Sequence, residues 1–245
     1  DDGIVSISAD ISSGIDFLHI DPWKKAKNIN HGIELTVEII KNCESISKNT
    51  FYEIGTEEAI FPYSPDELQS IIKSIKASLD EDTFDKIVFG VVQSGTSVTS
   101  IENIGVFDAQ KSREMSDICH YYGLKAKEHN SDYLTSEEII QRKSAGVDSL
   151  NIAPELGVIE TRALIDMMNK QTRDRFFKLC YDSGKWKKWV SKNKPVLDLE
   201  KISLICGHYI FSSKEFLDIK RSLDKDVDQI LQNEINKKLV ELLNI

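Results

Sequence analysis

The chain has 245 residues, 40% of them hydrophobic and 29% charged, and its 40 acidic side chains against 31 basic ones give a formal charge of -9. That is the composition of an ordinary soluble globular protein, and with no Lys/Arg stripe interleaved with aromatics it excludes a broad nucleic-acid surface. No apolar run approaches the roughly 20 residues of a membrane helix, and the start DDGIVSISAD lacks the basic and apolar regions of a secretory leader, so a cytoplasmic location is expected.

Short β-type runs recur, each followed by a helical pattern: FLHID (17–21), FYEIG (51–55), KIVFGVVQ (86–93), LKAKEHN (124–130) and DSLNIA (148–153). Their spacing is that of successive βα units in a parallel sheet. Between the first two, residues 31–46 place Ile33, Val37, Ile40 and Cys43 on one stripe. Ser64, Pro65, Asp66 and Glu67 make a helix start, with Ser64 as cap and Pro65 at the first position. Residues 108–122 read as a helix closed by Gly123, and another begins at 135–138 and ends before Gly146.

After Thr161 the pattern turns helical. Residues 162–180, the basic stretch KWKKW with Trp186 and Trp189 on one face, and residues 212–245 read as helices. The expected organisation is a barrel portion over residues 1–180 and a helical extension over 181–245 packed on it. Cys43, Cys119, Cys180 and Cys206 form no C-x-x-C pair, which points to reduced, buried thiols.

In parallel α/β proteins the carboxyl ends of the strands carry the chemistry. Those ends read His19 and Asp21; Glu53 and Glu57; Gln93 and Ser94; Glu128, His129 and Asp132; Asn151 and Glu155. Imidazole and carboxylate suit a divalent metal, whereas amides and further carboxylates suit sugar hydroxyls. Side chains alternate along FLHID, so Phe17, His19 and Asp21 share a face; Asp21 is expected at the pocket and His19 one layer deeper. The helix after Asn151 offers N-terminal amides to an anion such as phosphate, with Arg162 nearby in sequence. No G-x-G-x-x-G or Walker motif is present, which disfavours a nucleotide.

Taken in order, F-L-H-I-D, Y-E-I-G-T-E, V-V-Q-S-G, E-H-N-S-D-Y, N-I-A-P-E-L and K-W-K-K-W-V resemble the non-catalytic subunit family of tagatose-bisphosphate aldolase, formerly called tagatose-6-phosphate kinase. That family is similar to the class II, zinc-dependent aldolases. The resemblance implies a TIM (β/α)8 barrel of which strands 4 to 8 are visible, with three strands preceding Asp1 and a loop after Glu57 shorter than the family's. It implies metal-dependent cleavage or condensation of a phosphorylated ketose, or alternatively a subunit that supports a separate catalytic aldolase; isomerisation or epimerisation of a sugar phosphate uses related chemistry. Of the three zinc histidines in active relatives, the third matches His129, and the second falls where Gln93 or Ser94 stands. Glu57 is then the compensating carboxylate. The expected site has Glu57 and Asp132 moving protons, His129 and Glu57 holding a divalent ion, Zn2+ by family resemblance, and Asp21, Glu53, Gln93, Ser94, Asn151 and Glu155 contacting substrate. A phosphorylated sugar and a catalytic aldolase subunit or a second copy of the chain are the partners this reading implies.

Overall fold

The computed structural model describes residues 4–99, 101–190, 198–223 and 226–245, and the chain divides into two compact units. The first takes in Asp1–Ser97, Gly105–Ser131 and Glu137–Asn151. In chain order it brings α1 (Ile4–Ser12), β1 (Phe17–Ile20), a 3-10 turn at Trp23–Lys25, α2 (Ile29–Ile46), β2 (Phe51–Ile54), α3 (Pro65–Ser78), the short α4 (Glu81–Phe84) and β3 (Ile87–Val92); after a hairpin of β4 (Thr96–Thr99) and β5 (Glu102–Gly105), whose residues 98–104 belong to the second unit, come α5 (Ala109–Tyr121), β6 (Lys125–Glu128), α6 (Ser136–Ser144) and β7 (Ser149–Leu150).

The helix starts follow local chemistry. Ser64 and Glu67 form a reciprocal capping box with Pro65 in the first turn, and Asn28 and Asp108 cap α2 and α5 by accepting from backbone amides three residues on. The five strands expected from the sequence all form. They pair in parallel in the order β1-β2-β3-β6-β7. In the sheet they make, β1 and β7 stand at the two ends of the order. The β4–β5 hairpin interrupts the βα alternation and was absent from the sequence reading. Its base is pinched where Gly105, at φ 92°, passes so close that a Cβ would lie 2.4 Å from the Gly95 carbonyl oxygen.

One face of the sheet is covered by helices: Leu18, Ile20, Tyr52, Ile54, Val92 and Ala126 join Ile40, Ile72, Ile75, Met115 and Cys119 in a single core. Gly90 belongs to that face as well, because a Cβ there would press 2.8 Å from Cys119 Sγ. The alternate residues, Phe17, His19, Phe51, Glu53, Phe89 and Lys127, point to the other face.

The helix-covered face also buries a charge pair. Arg142 on α6 and Glu128 at the end of β6 are each 1% exposed, with Arg142 Nε 3.3 Å from Glu128 Oε2. Ser94 and Thr96 donate to Glu128 Oε1 at 2.7 and 3.0 Å, and the guanidinium lies 4.2 Å from the centre of the Phe107 ring.

The second unit comprises Val98–Ile104, Asp132–Ser136 and Ile152–Ile245. It contains α7 (Pro154–Met167), α8 (Lys170–Ser183), a 3-10 stretch at Lys185–Trp189, α9 (Leu199–Cys206), a 3-10 turn at Gly207–Ile210, α10 (Lys214–Arg221) and α11 (Val227–Leu243). Within it Val158, Leu164 and Ile165 of α7 share one core with Phe176 and Cys180 of α8 and Ile202 and Ile205 of α9. The helical pattern read over 162–180 is carried by two helices, α7 and α8. Asn169 divides them by accepting from Thr172 N and capping α8. Trp186 and Trp189 pack against this second core, and Trp186 Nε1 donates to the Tyr181 carbonyl at 3.0 Å. All four cysteines are free and buried.

Breaking the Arg142–Glu128 pair leaves an uncompensated buried charge. Arg142→Met is expected to lower the unfolding free energy by about 3 to 5 kcal/mol, and adding Glu128→Gln to recover part of it. Urea unfolding followed by circular dichroism measures both; a loss under about 1 kcal/mol in the single variant, the range of an exposed ion pair, contradicts the assignment.

Candidate metal centre

His19 and Glu53 are register partners on neighbouring strands, so their side chains leave the sheet side by side. His129 follows the last residue of β6 and shares the face of Lys127 two residues before it. Its ring meets that of His19 edge-on, with centroids 4.7 Å apart, and its Nε2 donates to Glu53 Oε1. His19 Nε2 stands 3.9 Å from the same carboxylate oxygen and 3.1 Å from the Gly55 carbonyl. One donor atom from each of His19, Glu53 and His129 lies within 4.8 Å of the others.

Two further charged groups close this cluster. Lys127 Nζ is 2.5 Å from Glu53 Oε2, and Glu57 Oε1 is 3.8 Å from His129 Nδ1. Glu53 is 1% exposed in its side chain and Glu57 37%, so the first is sealed and the second stands at the rim.

The surroundings set the protonation states. Burial opposes the charge on His129, but the hydrogen bonds and charges of Glu53 and Glu57 outweigh it and raise the imidazole to about 9. Burial also works against ionised Glu53, and the hydrogen bonds from His129 and Lys127 overcome it, holding its carboxyl below the usual range. Glu57 is lowered chiefly by its contact with His129, with Lys24 adding to the same effect. His19 is lowered, first by burial, and stays neutral at physiological pH.

This donor set fits a divalent cation. Two imidazoles and a carboxylate are the ligand types of catalytic zinc sites, which keep a fourth position open. Glu53 is already anionic and His19 already neutral. Only the His129 proton stands in the way, and a cation replaces it.

The remaining expected residues fall in different places. Asp21 braces the turn after β1: its oxygens accept from Trp23 N at 3.2 Å and Thr56 Oγ1 at 2.9 Å, and it is His19, expected a layer deeper, that joins the cluster. Gln93 is buried with its amide fully engaged, donating to the Thr56 and Phe61 carbonyls and accepting from Tyr63 N. Ser94 is committed to Glu128. Asn151 follows β7, its backbone N–H donating to the Glu128 carbonyl at 2.9 Å.

Asp132 and Glu155 belong to the second unit. Asp132 Oδ1 accepts from Ala153 N at 2.9 Å and Glu155 N at 2.8 Å, so the amides at the start of α7 that were expected to meet a phosphate hold this carboxylate instead. Burial raises the Asp132 carboxyl in spite of those amides. Glu155 accepts from Tyr133 N and pairs with Lys238 at 2.9 Å. Tyr133 itself has a φ of 61°, a left-handed conformation that this tight capping loop imposes on a non-glycine residue.

Sequence reasoning gave Glu53 to substrate and left His19 behind Asp21. The matching phase of FLHI and FYEI, each with its polar residue two places after a phenylalanine, was the signal that could have paired them.

No protein-family description matches the chain, and no curated protein matches it by sequence. Solved structures do match. The fold is similar to that of a probable tagatose 6 phosphate kinase from Sinorhizobium meliloti 1021, at 16% identity and a TM-score of 0.71 over 94% of this chain and 63% of that one. It is also similar to the glycerol-complexed fructuronate-tagaturonate epimerase UxaE from Cohnella laeviribosi, at 13% identity and a TM-score of 0.62 over 87% of this chain and 50% of the other. The chain thus spans less than two thirds of the length of either, and at these identities what is shared is the α/β fold with its helical C-terminal part.

Proposed function

We propose that this chain carries the metal centre of an enzyme of sugar-phosphate metabolism, which cleaves or condenses a phosphorylated ketose in the manner of a class II aldolase. The observation that supports this best is the convergence of His19, Glu53 and His129 from three different strands on one point. His19, Glu53 and His129 would hold the ion, Zn2+ being the natural choice for two nitrogens and one oxygen. When bound, the ion supplies a Lewis acid that polarises the substrate carbonyl and stabilises the enediolate.

The chain's own side chains do the rest. Glu57, ionised at the rim of the cluster, takes and returns the proton on the carbon beside the carbonyl. Asn151, at the carboxyl end of β7, orients substrate hydroxyls. Lys127 neutralises the second oxygen of Glu53.

Two observations favour other readings. The fold is shared with an epimerase of uronates, which points to enediolate chemistry without carbon–carbon cleavage. Gln93 stands where the aldolase resemblance expects a zinc histidine, and its amide is spent on the Thr56–Tyr63 loop; this favours a barrel that supports a separate catalytic aldolase. A coupled assay for triose phosphate with tagatose 1,6-bisphosphate and Zn2+, run beside NMR of the recovered sugar, separates the three. Triose phosphate marks the aldolase, an inverted or isomerised sugar the second reading, and an unchanged sugar together with activation of an added aldolase the third.

Under the principal reading Glu57→Gln retains metal and loses about a hundredfold or more in turnover, the range of a general base. His129→Ala and Glu53→Gln each lose metal in equilibrium dialysis. Bound Zn2+ unchanged in both of the last two variants would overturn the assignment of the centre.

The His129 proton sets the pH response. Metal uptake displaces it, so apparent Zn2+ affinity should climb about tenfold per pH unit from 6.5 and level off near 9. Chelator competition across that range measures the slope, and a flat profile contradicts it. In metal-free protein the sign reverses. The raised value stabilises the fold fully below 6.5, and that contribution is lost as pH rises through about 9, visible as a falling thermal midpoint that His129→Ala removes.

A further inference from the structure

Glu53 has two oxygens, and the structure gives them different partners. Oε1 faces His129 and His19, and Oε2 holds the Lys127 ammonium at 2.5 Å. Lys127 is not a loose surface cation. Its side chain is 13% exposed, and its ammonium lies 5.2 Å from the centre of the Phe89 ring and 5.8 Å from that of Phe17. Those two rings meet edge-on at 5.8 Å and an interplanar angle of 83°, forming a corner in which the ammonium sits. Phe89 is the register partner of Glu53 on β3, so the corner is built into the sheet itself.

A carboxylate next to a cation can bind through one oxygen or through both. We propose that Lys127 is a positioning residue that withholds Glu53 Oε2 from the metal, so that Glu53 binds through Oε1 alone and the centre keeps open positions for substrate. The inference rests on the metal-centre reading above. A charge-assisted bond between nearly buried partners is strong enough to hold one oxygen back, and the aromatic corner keeps the ammonium from swinging to solvent. With Oε2 occupied, the protein supplies three donor atoms, the count of a catalytic rather than a closed structural site. The same ammonium repels the bound cation through the carboxylate, which keeps the ion weakly compensated and a stronger Lewis acid.

Co2+ is the probe, because its visible absorption reports the number of ligands. Wild-type protein titrated with Co2+ should give the intense bands of a low-coordinate ion. In Lys127→Met and Lys127→Gln, Glu53 supplies both oxygens: the bands weaken as the coordination number rises, and Co2+ is held at least about tenfold more tightly because the repelling charge is gone. Lys127→Arg, whose guanidinium still occupies Oε2, should keep the wild-type spectrum. Unaltered bands and affinity in both neutral variants overturn the proposal, and so does weaker binding, which would make Lys127 a plain support of Glu53. Wild-type protein that takes up no Co2+ at all overturns the metal-centre reading instead, and this one with it.

Discussion

A carboxylate that is 1% exposed cannot stay ionised without compensation, and the first unit is arranged around giving Glu53 that compensation. Its partners come from both sides of the sheet position it occupies. His19 is its register neighbour on β1, while Lys127 lies on β6 and His129 directly follows it, and β6 is separated from β2 by the whole of β3. Lys127 crosses the intervening strand by lying on Phe89, so an aromatic ring rather than a polar group bridges the gap between the two charges. Replacing that ring with a small side chain would leave the ammonium without a surface to cross on.

Strand β6 is held from its other face too. Alternation sends Lys127 and His129 to the face of Glu53 and Glu128 to the helix-covered one, where Arg142, Ser94 and Thr96 fix it. Two buried carboxylates, one received from β2 and one contributed by β6, thus anchor the same strand end on opposite sides. The loop that follows is committed as well: Asn130 Nδ2 donates to the Thr96 carbonyl at 3.2 Å, and Ser131 Oγ donates to that of Glu128 at 3.3 Å. His129 therefore projects from a strand end with little freedom to shift, which is what a metal ligand requires.

Much of this was legible in the sequence because it is written in local patterns. The five strand starts, the capping box at Ser64 and the glycines closing α5 and α6 are all short-range features, and each strand's inward and outward residues follow from parity. What was not legible depends on register and on long-range pairing. FLHID does not say which strand lies beside it or at what offset, so His19 could not be matched to Glu53 without the sheet. Gln93 reads as a pocket residue from its position, yet its amide is consumed by a loop thirty or more residues away in sequence, at Thr56, Phe61 and Tyr63. The hairpin is illegible for a different reason: TSVT and ENIG are short and polar, and the positive-φ glycines at its base, Gly95 and Gly105, mark a close backbone approach that propensity alone does not locate. Asp132 shows the opposite case, a carboxylate whose placement at a strand end suggested proton transfer while its geometry makes it the cap of α7.

Charge explains why the cluster is suited to reacting anions despite its acidic look. Without metal, Glu53 and Glu57 are balanced by Lys127 and the protonated His129, and His19 is neutral. The exchange of one proton for a divalent ion leaves the same groups with one positive charge in excess, in a setting where Glu53 and His129 are largely shielded from water. A neutral resting cluster is cheap to bury. On the proposed reading a cationic loaded one would stabilise the negative charge that develops on a substrate oxygen. On that reading the His129 proton would let one set of side chains serve both states, and the chain's overall charge of -9 would not oppose it because Lys127 and His129 balance charge locally, within hydrogen-bonding distance of Glu53.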